Sequence, residues 1–249
     1  MRVTREHVVE RAPVVDGWLT EGQAAMLADA AAACPPDGEI VEIGSFRGKS
    51  TIVLAKAAPE GVAIVAIDPH AGNDRGPQEI AGFADEAASD RRIFERNLSA
   101  AGVIHRVRHI PEFSDRAHSA VHGTVDVLYI DGAHRYRAAR ADIRDWGARV
   151  ADGGTMLIHD SFSSVGVTMA ITRELMFGGR FRYVGRSRSL TRYRADLAGR
   201  GGSSRIRNAA RQFAELPWFA RNLALKVFLS LGLGKVLARL GRRVPEWPF

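Results

Sequence analysis

Two short clusters of acidic and histidine side chains are the residues best suited to chemistry in this chain. One cluster holds Asp131 and His134, and the other holds His159 and Asp160. Carboxylate oxygens suit Mg²⁺ or a similar hard divalent cation, and an imidazole that titrates near neutral pH can take a proton from a hydroxyl. We predict that Asp131 and Asp160 bind a metal ion and that His134 is a general base. His159 is predicted as a further metal ligand, with a packed strand residue as the alternative.

A glycine-containing loop at residues 44–50 is the second candidate for chemistry. Glycine lets the backbone turn sharply towards a ligand, and the helix that follows presents its free N–H groups. A phosphate-binding P-loop needs four residues between its glycines, but only three separate Gly44 and Gly48. The dinucleotide motif G-x-G-x-x-G needs glycine at position 46, where this chain has Phe46. Both patterns are therefore disfavoured.

An acidic residue at the end of the second predicted strand, Asp68, favours a third type of ligand. S-adenosylmethionine carries no phosphate, so its site needs only a tight turn here and a carboxylate that accepts hydrogen bonds from the ribose hydroxyls. The same carboxylate would serve the ribose of NAD, and a turn cap is the alternative without a ligand. The loop and Asp68 together favour S-adenosylmethionine.

Short β-branched runs alternate with longer helical stretches from residue 39 to about 195, which is typical of a doubly wound parallel sheet with helices on both faces. The predicted strands are 39–45, 62–68, 106–112, 125–131 and 155–160. The predicted helices are 21–33, 49–58, 83–101, 114–121 and 136–150. Because ligands bind at the carboxyl ends of such strands, Asp68, Asp131 and Asp160 should face one crevice.

Two further runs, 181–186 and 190–194, are separated by only three residues. A gap this short cannot hold a crossover helix, so the runs should pair as an antiparallel hairpin. Nucleotide dehydrogenases do not usually end their sheet in this way. The hairpin therefore disfavours an NAD-type oxidoreductase, which is the alternative enzyme class.

Five short motifs occur in an order that resembles class I S-adenosylmethionine-dependent methyltransferases. They are Val41-Glu42-Ile43-Gly44-Ser45, Ala66-Ile67-Asp68-Pro69-His70, Tyr129-Ile130-Asp131-Gly132-Ala133-His134, Asp152-Gly153-Gly154 and Ile158-His159-Asp160. Over about residues 38–195 the chain is similar to metal-dependent sugar O-methyltransferases related to macrocin and mycinamicin O-methyltransferases, and more distantly to catechol O-methyltransferase. The resemblance implies an α/β, Rossmann-like, doubly wound sheet of seven strands, mostly parallel and ending in a C-terminal antiparallel hairpin.

The resemblance also implies which residues bind S-adenosylmethionine. Glu42, Gly44 and Ser45 would line its methionine end. Asp68 would hold the ribose, and residues 113–114 would border the adenine. The full set of predicted cofactor contacts is Glu42, Gly44, Ser45, Phe46, Asp68, Phe113, Ser114 and Asp131.

The metal site of the resembling enzymes agrees with this chain at some positions and differs at others. Asp131 and Asp160 fall on Mg²⁺ ligands of the sugar enzymes, and His134 falls on their proposed base. The sugar enzymes can carry a second carboxylate where this chain has His159, and the catechol-type enzymes have asparagine where it has Ser161. The third metal ligand is therefore left open.

The net charge of +7 is concentrated at the C-terminus. Residues 200–249 hold 10 basic and 2 acidic residues, whereas residues 1–199 hold 25 basic and 26 acidic residues. A general nucleic-acid binder would spread basic residues over its folded face, so no nucleic-acid partner is expected. We predict a methyltransferase domain over 1–198 and a tail over 199–249, in which a flexible linker at 199–204 precedes basic and apolar helical residues. Such a tail can lie on an anionic membrane or pack on the domain or on a second subunit of a homodimer.

The remaining observations bound the class of protein. Cys34 is the single cysteine, which excludes an internal disulfide and a Cys-rich metal site. We expect neither a signal peptide nor a membrane-spanning segment, and hence a cytoplasmic protein. The polar segment 68–77 is predicted to lie over the crevice mouth and to influence acceptor choice.

These observations predict an enzyme, a Mg²⁺-dependent O-methyltransferase that acts on a hydroxyl of a sugar. Its acceptor would be a small molecule or an oligosaccharide, such as a saccharide, a glycolipid or a glycosylated metabolite. The alternative that is not an enzyme is a methyltransferase-like scaffold that the tail recruits to membranes.

Overall fold

The computed structural model describes residues 15–71, 84–198 and 202–233, and within the second range it describes side chains from residue 89 onwards. These residues form one seven-stranded sheet with helices on both faces. The strands are β1 (Glu39–Ile43), β2 (Ala63–Ile67), β3 (Val107–Ile110), β4 (Val125–Ile130), β5 (Val150–Ile158), β6 (Phe181–Ser187) and β7 (Leu190–Ala195). The α-helices are α1 (Glu21–Ala32), α2 (Lys49–Ala57), α3 (Ala84–Ala100), α4 (Tyr136–Ala141), α5 (Val165–Ile171), α6 (Gly202–Phe213) and α7 (Leu216–Ser230).

The sheet has the strand order β3-β2-β1-β4-β5-β7-β6. The pairings among β1 to β5 are parallel, whereas β7 pairs antiparallel with both β5 and β6. An all-parallel dinucleotide-binding sheet has the order 3-2-1-4-5-6, so the insertion of an antiparallel β7 distinguishes this fold from it. The predicted fold class and the predicted hairpin are both confirmed.

Buried apolar clusters cover both faces of the sheet, because successive side chains of a strand point to opposite faces. In β1, Val41 and Ile43 belong to the cluster that contains Trp146, whereas Ile40 belongs to the cluster that contains Leu27. Both faces of β1 are therefore buried, which explains why its sequence is apolar without alternation. Because both faces are covered, a ligand can approach the sheet at the carboxyl ends of its strands.

Two predicted helices differ from the structure. Within 114–121 only one 3₁₀ turn forms, at Ala117–Ala120, because Val121 is already extended and leads towards β4. The predicted helix 136–150 is α4 followed by a π turn (Asp142–Trp146) and a 3₁₀ turn, and β5 begins at Val150 instead of residue 155. The sequence Asp-Gly-Gly at 152–154 resembles a turn, yet it lies inside β5, beside a register shift against β4.

The tail helices pack on the antiparallel edge of the sheet. Helix α6 begins at Gly202, inside the predicted linker 199–204, of which residues 199–201 lie outside the described residues. The buried Asn208 of α6 accepts a hydrogen bond from the Tyr183 N–H (2.7 Å) and donates one to the Phe181 carbonyl (3.0 Å). Because Tyr183 and Phe181 belong to the edge strand β6, the Asn208 amide satisfies main-chain groups that would otherwise be open to pairing.

A second set of contacts fixes the turn between α6 and α7. Glu215 accepts hydrogen bonds from the Tyr183 hydroxyl (2.7 Å) and from Arg186 Nε (2.6 Å), and the Arg186 guanidinium lies 3.9 Å from the ring centre of Trp218. Of the arrangements considered for the tail, the described part adopts the one in which it packs on the domain. None of the helices in the described ranges is both long and apolar enough to cross a membrane.

Candidate functional site

A large cavity opens along the carboxyl ends of β1, β2, β4 and β5, with a volume of about 1300 Å³. Typical small-molecule sites have volumes of about 300–1,000 Å³, so this cavity has room for a cofactor together with part of a second molecule. Seven of the eight predicted cofactor contacts line it: Gly44, Ser45, Phe46, Asp68, Phe113, Ser114 and Asp131. The parallel strands thus bring together residues that are up to 87 positions apart in the sequence. Of the predicted segment 68–77, residues 72–77 lie outside the described residues.

The turn after β1 permits a close approach of two main-chain segments. Gly44 has a φ of +86°, and its N–H donates to the Ile67 carbonyl (2.9 Å). A Cβ at Gly44 would lie 2.2 Å from the main-chain oxygen of Asp131, so only glycine fits here. Next to it, the Ser45 hydroxyl oxygen is buried and has no hydrogen-bond partner among the residues that the structure describes. A buried hydroxyl that lines a cavity and lacks a partner is suited to a ligand.

Asp68 is held by main-chain donors at the mouth of this turn. Its Oδ2 accepts from the Phe46 N–H and its Oδ1 from the His70 N–H, both at 2.8 Å. Each carboxylate oxygen has a second lone pair, so Asp68 can still accept hydrogen bonds from a ligand in the cavity. Asp68 can therefore cap the turn and also make the predicted contact with a ribose.

Glu42, the eighth predicted cofactor contact, is fully buried on the face of β1 that meets α2. It accepts hydrogen bonds from the Ser50 hydroxyl and from the Thr51 hydroxyl. Burial raises the pKa of Glu42 to about 8, although the two hydroxyl donors lower it in part. Glu42 does not line the cavity, so in this structure its carboxyl group fixes the first turn of α2, and its contact with a cofactor stays a prediction.

The far end of the cavity holds an aromatic and polar cluster that the sequence did not indicate in full. The predicted Phe113 is half exposed there, and the Ser114 hydroxyl donates to Asp142 (2.5 Å). Trp146 donates through Nε1 to the Ser114 carbonyl (3.1 Å). Burial raises the pKa of Asp142 to about 6. Asp142 and Trp146 line the cavity but lie in the π turn, where an ordinary helical pattern gives no signal for them.

The two predicted strand-end clusters meet at the near end of the cavity. His134 Nε2 lies 2.8 Å from Asp160 Oδ2, and the Tyr129 hydroxyl donates to Asp131 Oδ2 (2.8 Å). Asp131, His134 and Asp160 each offer one ligand atom, and these three atoms lie within 4.8 Å of one another. His134 Nε2 is buried and makes no hydrogen bond of good geometry with the described residues. Two carboxylates and an imidazole suit a divalent cation, so the donor set fits the predicted metal.

His159 lies beside this group and also lines the cavity, although its side chain is buried. Its Nδ1 is 3.3 Å from Asp131 Oδ1 and 3.5 Å from Asp160 Oδ2, and its Nε2 is 3.3 Å from the Gln23 amide nitrogen. Its burial lowers the pKa of His159, but the charges and contacts of Asp131 and Asp160 outweigh that effect and raise the pKa to about 10. An imidazolium ring, which is protonated at both nitrogens, has no lone pair with which to bind a metal. The structure therefore groups His134 with the two carboxylates, and the ligand role of His159 stays a prediction.

The electrostatics of the cluster follow from the same contacts. Burial alone would raise the pKa of Asp160, yet His134 and His159 hold it far below its usual range. Burial opposes the charged form of His134, but Asp160 and Asp131 raise its pKa above the ordinary value. Asp160 has a φ of +52°, a backbone conformation that costs free energy and recurs at functional sites. Ser161 is buried and bonded to the Ile158 carbonyl, so it holds the strand end in place.

One wall of the cavity comes from α7, which no sequence pattern indicated. Lys226 and Leu223 line the cavity beside His134 and Asp160. The Lys226 ammonium group donates to the carbonyl and to the hydroxyl of Ser163, both at 3.0 Å. These residues are more than 60 positions apart, so no local pattern could have joined them.

Comparisons with known proteins agree with this architecture. A family model described as a methyltransferase domain matches residues 41–161. This range begins within β1, passes the end of β5 and contains Asp131, His134, His159 and Asp160. The O-methyltransferase NovP is 17% identical, with a TM-score of 0.55 over 72% of this chain and 83% of its own. The S-adenosylhomocysteine-bound methyltransferase PaMTH1 from Podospora anserina is 17% identical, with a TM-score of 0.54 over 77% of this chain and 86% of its own.

A Clostridium thermocellum protein assigned as an rRNA methylase is 12% identical, with a TM-score of 0.52 over 73% of this chain and 98% of its own. At such identities the likeness concerns the fold alone. The strand order, the cavity at the strand ends and the family match over 41–161 agree with one another. Residues 41–161 are therefore similar to a methyltransferase domain, and the chain has the α/β fold of the methyltransferases with which it is compared.

Proposed function

We propose that this protein is an O-methyltransferase that transfers the methyl group of S-adenosylmethionine to a hydroxyl group of a sugar. One observation carries the proposal. The Asp131, His134 and Asp160 cluster opens into the same cavity as Ser45 and Asp68. An enzyme that activates a hydroxyl needs its acid–base group and its methyl donor in one enclosed site.

The cofactor would occupy the part of the cavity between the turn after β1 and the Phe113 end. Gly44 allows the backbone to approach it, Ser45 offers a hydroxyl that has no partner among the described residues, and Asp68 offers acceptor lone pairs for the ribose. The half-exposed Phe113 provides an apolar surface for an adenine ring. S-adenosylmethionine supplies an electrophilic methyl group, so the protein has to supply a good nucleophile and its alignment.

Asp131 and Asp160 would hold a divalent cation at the near end. Bound there, the cation would compensate the charge of the two carboxylates and lower the pKa of an acceptor hydroxyl. His134 would then be a neutral imidazole, because the carboxylate charge that raises its pKa is compensated. In that form Nε2 accepts the hydroxyl proton while the site keeps the acceptor oxygen in line with the methyl group.

The same geometry allows a second role for His134, as the third metal ligand beside the two carboxylates. The two roles predict different measurements. A base affects the rate of transfer and leaves metal affinity unchanged, whereas a ligand affects metal affinity directly. Between the two histidines, we assign His134 as the base. Its side chain is 42% exposed and can meet an acceptor, whereas that of His159 is 3% exposed.

A sugar acceptor is supported by the polarity of the near end and by the resemblance to sugar O-methyltransferases. Asp131, Asp160, Ser163 and Ser164 present oxygen atoms there, in a cavity with about 1300 Å³ of space. A cation held by Asp131 and Asp160 would supply positive charge for the oxygens of the acceptor, which suits a sugar with its neighbouring hydroxyl groups.

Calorimetry with S-adenosylhomocysteine, in the presence of Mg²⁺ and of a chelator, tests the cofactor. Transfer from labelled S-adenosylmethionine to a panel of monosaccharides and glycosides then tests the acceptor, with a catechol as the comparison. We expect cofactor binding in both conditions and Mg²⁺-dependent transfer to a sugar. The absence of cofactor binding in both conditions would contradict the proposal, and transfer to the catechol alone would contradict the sugar.

Asp160→Asn tests the metal site, and Asp37→Asn is a matched control. Asp37 has a φ of +61° and Asp160 a φ of +52°, so the backbone requirement of both replacements is similar, but Asp37 is exposed and does not line the cavity. We expect Asp160→Asn to lower the Mg²⁺-dependent rate by about a hundredfold or more and Asp37→Asn to leave it unchanged.

A further inference from the structure

Two residues at the end of β2 hold both main-chain polar groups of Phe46, in the turn after β1. Asp68 Oδ2 accepts a hydrogen bond from the Phe46 N–H (2.8 Å), and His70 Nε2 lies 2.7 Å from the Phe46 carbonyl oxygen. A carbonyl oxygen only accepts hydrogen bonds, so the His70 ring carries a proton on Nε2 and donates it to Phe46. We call these two hydrogen bonds the Phe46 clamp.

The His70 ring is held in place by packing. Its side chain is 2% exposed, and its ring centre lies 5.3 Å from that of Phe94 on α3 and 5.0 Å from that of His109 on β3. The His70 main-chain N–H also donates to Asp68 Oδ1 (2.8 Å). Buried side chains have little freedom to turn, so Nε2 stays directed at the Phe46 carbonyl.

The turn needs this clamp because its backbone conformation is unfavourable. Phe46 has a φ of +44° and His70 a φ of +46°. The left-handed region costs free energy for any residue with a Cβ, and the dinucleotide motif has glycine at position 46. Phe46 adopts this conformation without being glycine, and the two hydrogen bonds of the clamp offset the cost.

The clamped turn forms one wall of the cavity. Gly44, Ser45 and Phe46 line the cavity, and Asp68 does too, whereas His70 does not. His70 can therefore act on a ligand only through the turn. If the clamp is weakened and the turn relaxes, a ligand has to restore it. The apparent affinity then falls with the fraction of molecules that keep the competent conformation.

We infer that His70 is a positioning residue for S-adenosylmethionine. The hydrogen bond from its Nε2 to the Phe46 carbonyl holds the turn after β1 in the conformation that binds the cofactor. This inference rests on the proposed function and adds to its cofactor site a residue that lies outside the cavity. The two residues at the end of β2 thus differ in role, because Asp68 meets the ribose and His70 holds the turn.

Three replacements of His70 separate the Nε2 donor from side-chain size and from backbone strain. His70→Gln keeps an N–H donor that is as many bonds from Cβ as Nε2 is, and His70→Leu has a similar size without a donor. His70→Asn suits a positive φ, but its amide nitrogen is one bond closer to Cβ and corresponds to Nδ1. S-adenosylhomocysteine is titrated by calorimetry into each full-length protein.

We expect His70→Leu and His70→Asn to bind S-adenosylhomocysteine about tenfold more weakly than the parent protein, and His70→Gln to bind within about twofold of it. In transfer assays, His70→Leu should raise the KM for S-adenosylmethionine more than it lowers kcat. The comparison of His70→Asn with His70→Gln, which both keep an amide, tests the donor even if His70→Leu does not fold.

Two controls separate cofactor affinity from stability. Asn208→Ala removes buried hydrogen bonds to the main chain of β6, and Asn208 does not line the cavity. It should lower the unfolding temperature and leave the affinity for S-adenosylhomocysteine unchanged. Replacement of the exposed His105 by leucine should change neither quantity.

Unchanged affinity in both His70→Leu and His70→Asn would overturn the inference and leave the proposed function in place. Binding by His70→Gln that is as weak as that of His70→Leu would show that the Nε2 donor is not the cause and would also overturn it. Failure of the parent protein to bind S-adenosylhomocysteine, with and without Mg²⁺, would overturn both the inference and the proposed cofactor.

Discussion

The close approach of Gly44 to Asp131 predicts a substitution with a large and separable effect. In Gly44→Ala the new Cβ would lie 2.2 Å from the main-chain oxygen of Asp131 and 2.6 Å from its carbonyl carbon. Contacts below 3.0 Å force a shift, and here the neighbour is backbone, which cannot rotate away. The positive φ of +86° adds strain of its own for any residue with a side chain.

The magnitude follows from these two costs. Left-handed backbone costs about 1–2 kcal/mol for a residue that has a Cβ, and forcing an extra carbon into a packed site costs about 1–3 kcal/mol. The sum of about 2–5 kcal/mol is a large part of a typical free energy of unfolding of about 5–15 kcal/mol. Because the clash is with Asp131, the shift also moves a proposed metal ligand, so Mg²⁺ affinity should fall together with stability.

Gly123→Ala separates the two costs. Gly123 has a φ of +87°, almost equal to that of Gly44, but a Cβ there would have no atom within 4 Å. We expect Gly123→Ala to lower the free energy of unfolding only by the backbone contribution of about 1–2 kcal/mol and to leave the Mg²⁺ affinity unchanged. Guanidinium unfolding followed by tryptophan fluorescence measures both variants against the parent protein. Equal destabilisation by the two substitutions would refute the close packing of the β1 turn against Asp131.

Three further predictions test the base, the buried acid and the tail. His134→Ala should lower kcat by about 10²–10⁴-fold and change the Mg²⁺ dissociation constant by less than about twofold. Steady-state kinetics and metal titration measure both quantities, with the replacement of an exposed histidine, His105→Ala, as the control. A rise of tenfold or more in the Mg²⁺ dissociation constant would make His134 a metal ligand. The raised pKa of Asp142, about 6, means that the folded protein holds a proton that the unfolded chain has released, so this group should reduce the free energy of unfolding as the pH rises from about 4 to about 7. Unfolding midpoints against pH should therefore be flatter for Asp142→Asn in that window, and parallel curves for the two proteins would contradict the assignment. Asn208→Ala should lower the free energy of unfolding by about 2–3 kcal/mol, because it leaves main-chain groups of β6 without the Asn208 amide. Replacement of the exposed Arg207 by alanine should lower it by less than about 0.5 kcal/mol. Thermal unfolding of both variants measures the difference.

The elements that the sequence predicted well are those whose signal is local. Apolar runs without alternation indicated the buried parallel strands, and a gap of three residues allowed only a hairpin for β6 and β7. The start of β5 was missed because Gly153 and Gly154 resemble a turn, while the partner strand β4 determines that they continue the strand. The segment 114–121 was predicted as a helix from its local pattern. Its end is extended instead because the chain there approaches β4.

In the candidate site, too, the residues with a local signal were predicted and those placed by long-range packing were missed. Asp68, Asp131 and Asp160 could be predicted as neighbours because each ends a parallel strand, and the sheet brings such ends to one edge. The environment of His159 was beyond the sequence, since the Gln23 amide nitrogen, at a separation of 136 residues, lies 3.3 Å from its Nε2. Asp142, Trp146 and Lys226 were missed because they reach the cavity through a π turn and a distant helix.

The spacing of residues that are close along the chain was enough to predict the order of the strands, the antiparallel hairpin and the carboxylates at the strand ends. Packing in three dimensions was needed to show that Glu42 faces α2 instead of the cavity, that His134 joins the two carboxylates, and that α7 lines the cavity. These outcomes depend on packing between segments that the chain brings together over long separations. No local pattern of side chains encodes that packing.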